Sequence, residues 1–460
     1  MDGLAASVEK MRSEGVAEAA IETFRRYYEQ LRGGNLGALP ESEIEPVEEL
    51  PDAEALPADE GGASEALDRT VVVKLNGGLG TSMGLEGPKS LLRVKEGLTF
   101  LDIIVRQVLA LRERFGARLP LVLMNSFATR EETLAALERH PDVAADVPID
   151  FVQNKVPKLR ADDLQPASWP DNPALEWAPP GHGDLYTALA GSGMLRTLLE
   201  RGYRYAFLSN SDNLGAVLEP RILAWFAREQ IPFLMEVADR TEADRKGGHI
   251  ARGPGGGLLL RESAQTPDED LVAFQDVGRH RYFNTNTLWV DLQALAERLE
   301  RQGGFLGLPM IANRKTVDPS DPSSTEVIQL ETAMGAAIGV FDGAQAIRVP
   351  RARLSPVKTT NDLLPVRSDA YLLTEESQVR LAPERHDSPP IVDLDERFYK
   401  LVGDFEPRFP AGPPSLLGCE RLSVKGDVVF GRDVVVRGSV TVNHAGEEQL
   451  HLADGTVLEG

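Results

Sequence analysis

At 460 residues, with 42% hydrophobic and 26% charged side chains, the chain has room for one principal domain with smaller appendages and the balance of a soluble globular protein. A formal charge of −22 argues against a general nucleic-acid binder, which needs a positive surface to displace counterions, so any phosphate site must be local. The single cysteine, Cys419, fits a reducing compartment, and no window offers a secretory signal or the ~20 apolar residues of a membrane span. The expectation is a cytoplasmic protein with neither a membrane nor a nucleic-acid partner.

Residues 1–62 read as a helical segment followed by a connector. Val8, Met11, Val16, Ala20, Ile21, Phe24, Tyr28 and Leu31 recur at roughly helical spacing with charges between them. The stretch PESEIEPVEELPDAEALPADEGG, from Pro40 to Gly62, is acidic and proline-rich, which predicts an irregular connector whose charge serves solvation.

Residues 63–375 alternate between strand-like and helix-like patterns. The runs VVVKL at 71, LPLVLMN at 119, IDFV at 149, YRYAFL at 203, PFLMEV at 232 and TLWVDL at 287 suit strands, and FLDIIVRQVLALRERFG and REETLAALERH between them suit helices. This predicts an α/β core with a mixed, mostly parallel sheet and helices on both faces. Ligands collect beyond the carboxyl ends of such strands.

Residues 376–460 begin as a linker and end in a repeat. Leu422, Val428, Val434 and Val440 recur every six residues, as do Val424, Phe430, Val436 and Val442, with Gly426, Gly431 and Gly438 at the corners. The period suits a short β-helix, whose coils bury apolar residues by stacking, with a plain β-meander as the alternative. A terminal coil would offer unpaired strand edges, so a homo-oligomer joined end to end and a capped monomer are both compatible with it.

The chemistry starts at VVVKLNGGLGTSMGLEGPKS, from Val71 to Ser90. Glycines without Cβ atoms let backbone N–H groups approach an anion. Their spacing is not that of the dinucleotide fingerprint, and GPKS has Pro where a Walker loop has Gly before Lys.

KLNGGLGTSMG followed by GPKS resembles the UTP–glucose-1-phosphate uridylyltransferase family of the eukaryotic type. TFLDIIVRQV, MNSFATREET, FVQNKVPKL, PPGHGDLYTAL, SNSDNLGA, MEVADRTEADRKGG, FNTNTLWVDL, ETAMGAAIGVF and VPRARLSPVKTTNDLL follow in order over about residues 70–370. The resemblance implies a GT-A, Rossmann-like nucleotidyltransferase core with a C-terminal left-handed β-helix. It also implies the reaction: glucose-1-phosphate attacks the α-phosphorus of UTP in line, pyrophosphate leaves and UDP-glucose forms. Alternatives are a broader UDP-sugar or UDP-N-acetylhexosamine pyrophosphorylase, and a non-catalytic nucleotide-sugar sensor; the Asn76-Gly77-Gly78-Leu79 loop points to the glucose type.

By the same resemblance, Leu75, Asn76, Gly77 and Gly78 form the nucleotide loop and Lys89 neutralises the triphosphate. Gln153 reads the uracil edge, which an amide can do by donating and accepting, and Gly181 allows close approach at the uracil end. His182 donates to the sugar phosphate rather than acting as a general base, because that phosphate is already ionised. Asn210 contacts the sugar phosphate, and Asp212 binds Mg2+, a hard cation suited to carboxylate, phosphate and water oxygens. Lys358 is the expected catalytic cation at the α-phosphate, with Asp362 capping the helix that follows. Glu236, Gly248, Asn284 and Asn286 are the expected sugar contacts. Two departures stand out: Ala178 and Thr287 replace a tyrosine and an asparagine usual in the family, and the tyrosine loss is expected to change a wall of the pocket.

Overall fold

The computed structural model describes residues 2–34, 37–386 and 388–460. The amphipathic start forms two helices, Gly3–Ser13 and Glu18–Arg32, joined through Gly15 in the left-handed region (φ +71°). Their apolar stripes (Val8, Met11, Ile21, Phe24, Tyr28, Leu31) close over Val156, Leu159, Ile328 and Leu330. The Tyr27 and Tyr28 hydroxyls donate to the Leu308 and Leu164 carbonyls, fixing the pair to the body.

The connector departs from expectation. Glu45–Pro46 forms a short strand that pairs antiparallel with Ala251 and Arg252 at the edge of the main sheet. Asp52 accepts from Arg348 Nη1 at 2.7 Å, and Glu41 accepts from Arg261, Arg279 and His280. Two of its carboxylates are therefore bound to cations and not merely solvated; composition alone does not distinguish the two states.

Six apolar runs become strands of one ten-stranded sheet. Its centre is a parallel block in the order Tyr205–Asn210, Thr70–Asn76, Leu121–Asn125, Asp150–Val152. Thr70–Asn76 is buried along its whole length, as expected of a strand covered on both faces. Tyr282–Asp291 extends the block antiparallel, pairing with Tyr205–Asn210 and Phe233–Asp239, and Gln345–Arg348 pairs parallel with Phe233–Asp239. One face packs Val71 and Val73 against Leu185, Leu189 and Leu198; the other packs Val72 against Ile104, Val108 and Phe226. The result is mixed α/β with a parallel centre and helices on both faces.

The registers align the ends of the parallel strands. Asn76 lies opposite Asn125, Asn125 opposite Val152, and Leu75 opposite Asn210. The glycine loop, Gln153 and the SNSDN turn thus leave the sheet along one edge.

At the C-terminal end, Ile391–Leu394, Ser415–Lys425, Val435–Asn443 and Val457–Glu459 form a parallel sheet, and Val428–Phe430 pairs parallel with Leu450–Leu452. A meander would pair its strands antiparallel, so that alternative is excluded. Leu422, Val428 and Val434 are fully buried. This core runs without a break into Met83 of the glycine loop, Val357 and Leu363.

Candidate active site

The glycine loop is held from both ends. Asn76 is buried, and its Nδ2 donates to Asn125 Oδ1 (2.8 Å) and Thr133 Oγ1 (3.0 Å), so its side chain ties two strand ends together. Leu79 bridges to Pro88, and the Lys89 N–H donates to the Gly78 carbonyl at 3.1 Å. A Cβ on Gly77 would stand 2.5 Å from Gln153 Oε1, so glycine lets the Gln153 amide lie on the loop. A Cβ on Gly78 would meet nothing within 4 Å, which leaves that stretch of backbone open to a ligand.

Lys89, expected to neutralise the triphosphate, and Asp212, expected to bind Mg2+, are bonded to each other. Lys89 Nζ lies 2.7 Å from Asp212 Oδ2, with both side chains largely covered. The turn carrying Asp212 is stitched to the segment before Lys358: Asn213 Oδ1 accepts from the Gly215 and Ser355 N–H groups, and Asn213 Nδ2 donates to the Arg353 carbonyl. The Val357 N–H donates to the Asp212 carbonyl. Lys358 comes next in the chain, exposed, and its ammonium has no ion-pair partner among the described residues. Asp362 accepts from the Lys358 and Thr359 N–H groups and from Thr359 Oγ1, capping the helix Thr360–Arg367.

His182 has a defined tautomer. Its Nδ1 accepts the Met334 N–H at 3.0 Å, so the proton resides on Nε2. Burial pushes its pKa down to about 4, which keeps the ring neutral near pH 7 and leaves Nε2–H as a donor. Gly181 has φ +76°, and a Cβ there would come 2.4 Å from the Thr332 carbonyl, so this glycine is required by the adjoining strand whatever a ligand requires. Asp184, at the start of the helix Asp184–Gly191, accepts from Asn154 N–H (2.6 Å) and Nδ2 (2.8 Å). Burial pushes its pKa up to about 6.

The expected sugar contacts divide into two groups. Asn284 and Asn286 lie together at a β-bulge, where Asn284 Nδ2 donates to Asn286 Oδ1 (3.0 Å) and Asn286 takes φ +55°. A bulge re-aims side chains, and asparagine tolerates the left-handed region. The Asn284 N–H donates to the Gly248 carbonyl at 3.2 Å, bringing Gly248 to the same place. Glu236 lies beneath instead. It is wholly buried, its oxygens taken by Arg353 Nε (2.6 Å) and Nη2 (2.7 Å) and by Trp289 Nε1 (3.0 Å). The carboxylate expected at a sugar hydroxyl is thus committed to holding Arg353. Neither departure from the family pattern presents a polar group outward: Ala178 is buried in a short pairing with Val156, and Thr287 is buried in the sheet. Asn210 ends its strand half-buried beside Leu75.

A metal ion here would draw on few protein ligands, since no cluster of three His, Cys, Asp or Glu side chains with metal-binding geometry occurs among the described residues. Asp212, one of whose oxygens is taken by Lys89, would supply a hard oxygen donor. That suits Mg2+, which commonly takes one or two carboxylates and completes its shell with phosphates and water.

The UTP–glucose-1-phosphate uridylyltransferase family model matches residues 21–437. The chain belongs to this family. It is similar to the UTP–glucose-1-phosphate uridylyltransferase of Solanum tuberosum, 43% identical over 405 residues that cover 88% of this chain and 83% of that protein. The enzyme of that name from Hordeum vulgare is 39% identical and covers 100% of this chain and 96% of its own. Among solved structures, a mutant UDP-glucose pyrophosphorylase from Leishmania major in complex with UDP-glucose superposes with a TM-score of 0.92 at 47% identity, covering 100% of this chain and 98% of that one.

Two residues of this family member escape a motif reading. Lys74 is buried beneath the SNSDN turn, where its Nζ donates to Ser209 Oγ (2.7 Å) and the Ala216 carbonyl (2.8 Å). Burial, with Arg353 nearby, pushes its pKa down to about 7. A lysine inside VVVKL, an otherwise apolar run, was the available signal. Glu262 is half-buried against Gly248, where a Cβ would approach its Oε2 to 2.6 Å, and burial pushes its pKa up. Nothing local in the sequence marks it.

Proposed function

We infer that the chain is a uridylyltransferase, forming UDP-glucose and pyrophosphate from UTP and glucose-1-phosphate. The observation that carries the reading is the edge itself: an open glycine backbone, a Lys89–Asp212 pair and Lys358, without an ion-pair partner among the described residues, meet where three parallel strands end. Two polyanions must be brought together there, and no covalent intermediate is needed, so alignment and charge neutralisation are the protein's tasks.

The site residues are assigned accordingly. The backbone from Leu75 to Gly78 receives the nucleotide, with Gln153 on the uracil edge and Gly181 behind it. Lys89 turns from Asp212 to the triphosphate. His182, held neutral, donates Nε2–H to the sugar phosphate beside Asn210. Gly248, Asn284 and Asn286 receive the sugar, with Glu262 next to them and Glu236 supporting from below through Arg353. As a glucose-1-phosphate oxygen bonds to the α-phosphorus, the bond to the bridging oxygen of pyrophosphate breaks, and Lys358 stabilises the charge that accumulates on the α-phosphate oxygens. Asp212 would hold Mg2+, which when bound neutralises phosphate charge.

We read residues 63–375 as the catalytic unit, 1–62 as its strap, and 376–460 as a linker with a left-handed β-helix. The six-residue repeat and the parallel register of Leu422 with Val440 support the last assignment. The lone buried thiol of Cys419 supports a cytoplasmic setting. The deciding experiment is pyrophosphate release from UTP and glucose-1-phosphate with Mg2+, repeated with galactose- and N-acetylglucosamine-1-phosphate. Glucose-1-phosphate is expected to turn over fastest; equal rates would replace it with a broad specificity, and metal-independent turnover would remove Mg2+ from Asp212.

A further inference from the structure

The connector supplies one carboxylate to a buried basic cluster. Arg261 and His280 are wholly buried, and Glu41 is mostly covered. Glu41 Oε2 accepts from Arg261 Nη1 at 2.5 Å and Oε1 from Arg279 Nε at 2.7 Å. His280 Nε2 lies 3.1 and 3.2 Å from the two oxygens. Burial by itself would raise the Glu41 pKa, but the bonds from Arg279, His280 and Arg261 hold it below the usual carboxylate range. An ionised carboxylate only accepts, so His280 Nε2 carries the donated proton. Asp270 completes the cluster, receiving Arg261 Nη2 at 3.3 Å and the Glu41 N–H at 2.6 Å.

These partners sit on the elements that form the sugar side of the site. Arg261 ends the strand Leu258–Arg261 and pairs with His249 of His249–Arg252. Successive strand residues face opposite ways, so the neighbours Gly248 and Glu262 turn together to the other face, where Glu262 lies against Gly248. Arg279 and His280 lead directly into Tyr282–Asp291, which carries Asn284 and Asn286. The His249 and His280 rings stack with centroids 3.9 Å apart, joining the two elements behind the site. One carboxylate therefore clamps the hairpin and the strand whose opposite face forms the sugar pocket.

We propose that Glu41 is a positioning residue for the sugar phosphate: by binding Arg261, Arg279 and His280 together it sets the separation of Gly248 and Glu262 from Asn284 and Asn286. It touches no reacting atom. The proposal rests on the sugar-pocket assignment above, and a control distinguishes failure of one from failure of the other.

The test uses the full chain with each substrate varied at saturating levels of the other. Glu41→Gln keeps the shape and removes the charge; the KM for glucose-1-phosphate is expected to rise about tenfold, with kcat and the KM for UTP within about twofold of the parent. Glu41→Asp should fall between, and the preference for glucose- over galactose-1-phosphate should narrow in step. Arg279 is substantially exposed, so Arg279→Gln tests the same clamp with little risk to folding and should raise the same KM by a smaller factor. Asn286→Ala is the control for the pocket. If Asn286→Ala raises that KM while Arg279→Gln and any folded Glu41→Gln protein leave it unchanged, the positioning role is overturned. If both substrates' KM values rise together, the cluster is merely structural and the proposal fails. If Asn286→Ala has no effect, the pocket assignment falls and the clamp falls with it.

Discussion

Lys89 and Asp212 form a 2.7 Å ion pair, so the cation proposed for the triphosphate and the carboxylate proposed for a metal neutralise each other in this structure. Neither group is then left as an uncompensated charge in a largely covered place, which would be costly. On the proposed roles, the pair must open for both to act. Lys89→Met is therefore expected to strengthen Mg2+ binding to the nucleotide-free protein by roughly two- to fivefold, the worth of a partly exposed pair, while lowering kcat/KM for UTP. Calorimetric titration of Mg2+ with and without UTP checks it. Unchanged metal affinity in the variant would mean that the pair does not compete with the cation.

Lys358 differs from Lys89 in having no ion-pair partner among the described residues, although its backbone is fixed by Asp362 at 2.9 Å. A free ammonium on a fixed backbone is suited to charge that appears only during reaction. Lys358→Ala should cut kcat by about 10²- to 10³-fold, the usual cost of losing a preorganised charge donor. UTP affinity should move only a few-fold, since uniform binding is not what is lost. Single-turnover kinetics with UTP binding measured separately would distinguish the two, and near-parental turnover would remove Lys358 from the catalytic role.

The contrast between these lysines illustrates what was legible in the sequence. Fully buried parallel strands are continuous apolar runs, so VVVKL, LVLMN and YAFL announced the sheet, and glycines at the end of the first announced the loop. A six-residue spacing of Leu422, Val428 and Val434 announced a stack because identical steps bury identical faces. Pairing across long distances was not legible. Glu41 looked like a solvated connector residue because its partner Arg261 lies 220 residues away. Glu236 looked like a hydroxyl ligand because its residue type suits one, but Arg353 and Trp289 meet it in the folded chain. Local pattern encodes which face is apolar; it does not encode which distant cation a carboxylate will meet.

His182 gives a pH prediction with a definite sign. Its folded pKa of about 4 lies below the ordinary 6.5, so below pH 6.5 the unfolded chain binds the proton more tightly and stability falls as pH drops toward 4. Asp184 works in the opposite direction. Its folded pKa of about 6 lies above the ordinary 3.8, so its contribution is present at low pH and is lost as pH rises through 6. The difference between the parent and His182→Gln isolates the histidine. Relative to the variant, the parent should lose on the order of 2 kcal/mol between pH 7 and pH 5, from about 1.4 kcal/mol per unit of pKa difference. Urea unfolding of both proteins at the two pH values measures it, and parallel pH dependences would show that His182 is not held neutral by the fold.

The contact between Gly77 and Gln153 yields a test of the nucleotide loop. A methyl group at residue 77 would stand 2.5 Å from Gln153 Oε1, and the amide is the far end of a flexible side chain, so Gly77→Ala should fold and displace Gln153 from the loop. If Gln153 reads the uracil edge, Gly77→Ala and Gln153→Ala both lower kcat/KM for UTP, and combining them costs much less than the sum. A coupling of about 0.5–3 kcal/mol in the double-mutant cycle is the range for residues in contact. Gly78→Ala is the companion, because a methyl there meets no protein atom within 4 Å. It should leave the unfolding midpoint unchanged and still weaken UTP, since the space it fills is the space a nucleotide would occupy. Additive effects of Gly77→Ala and Gln153→Ala would show that Gln153 is not acting from the position that Gly77 makes available.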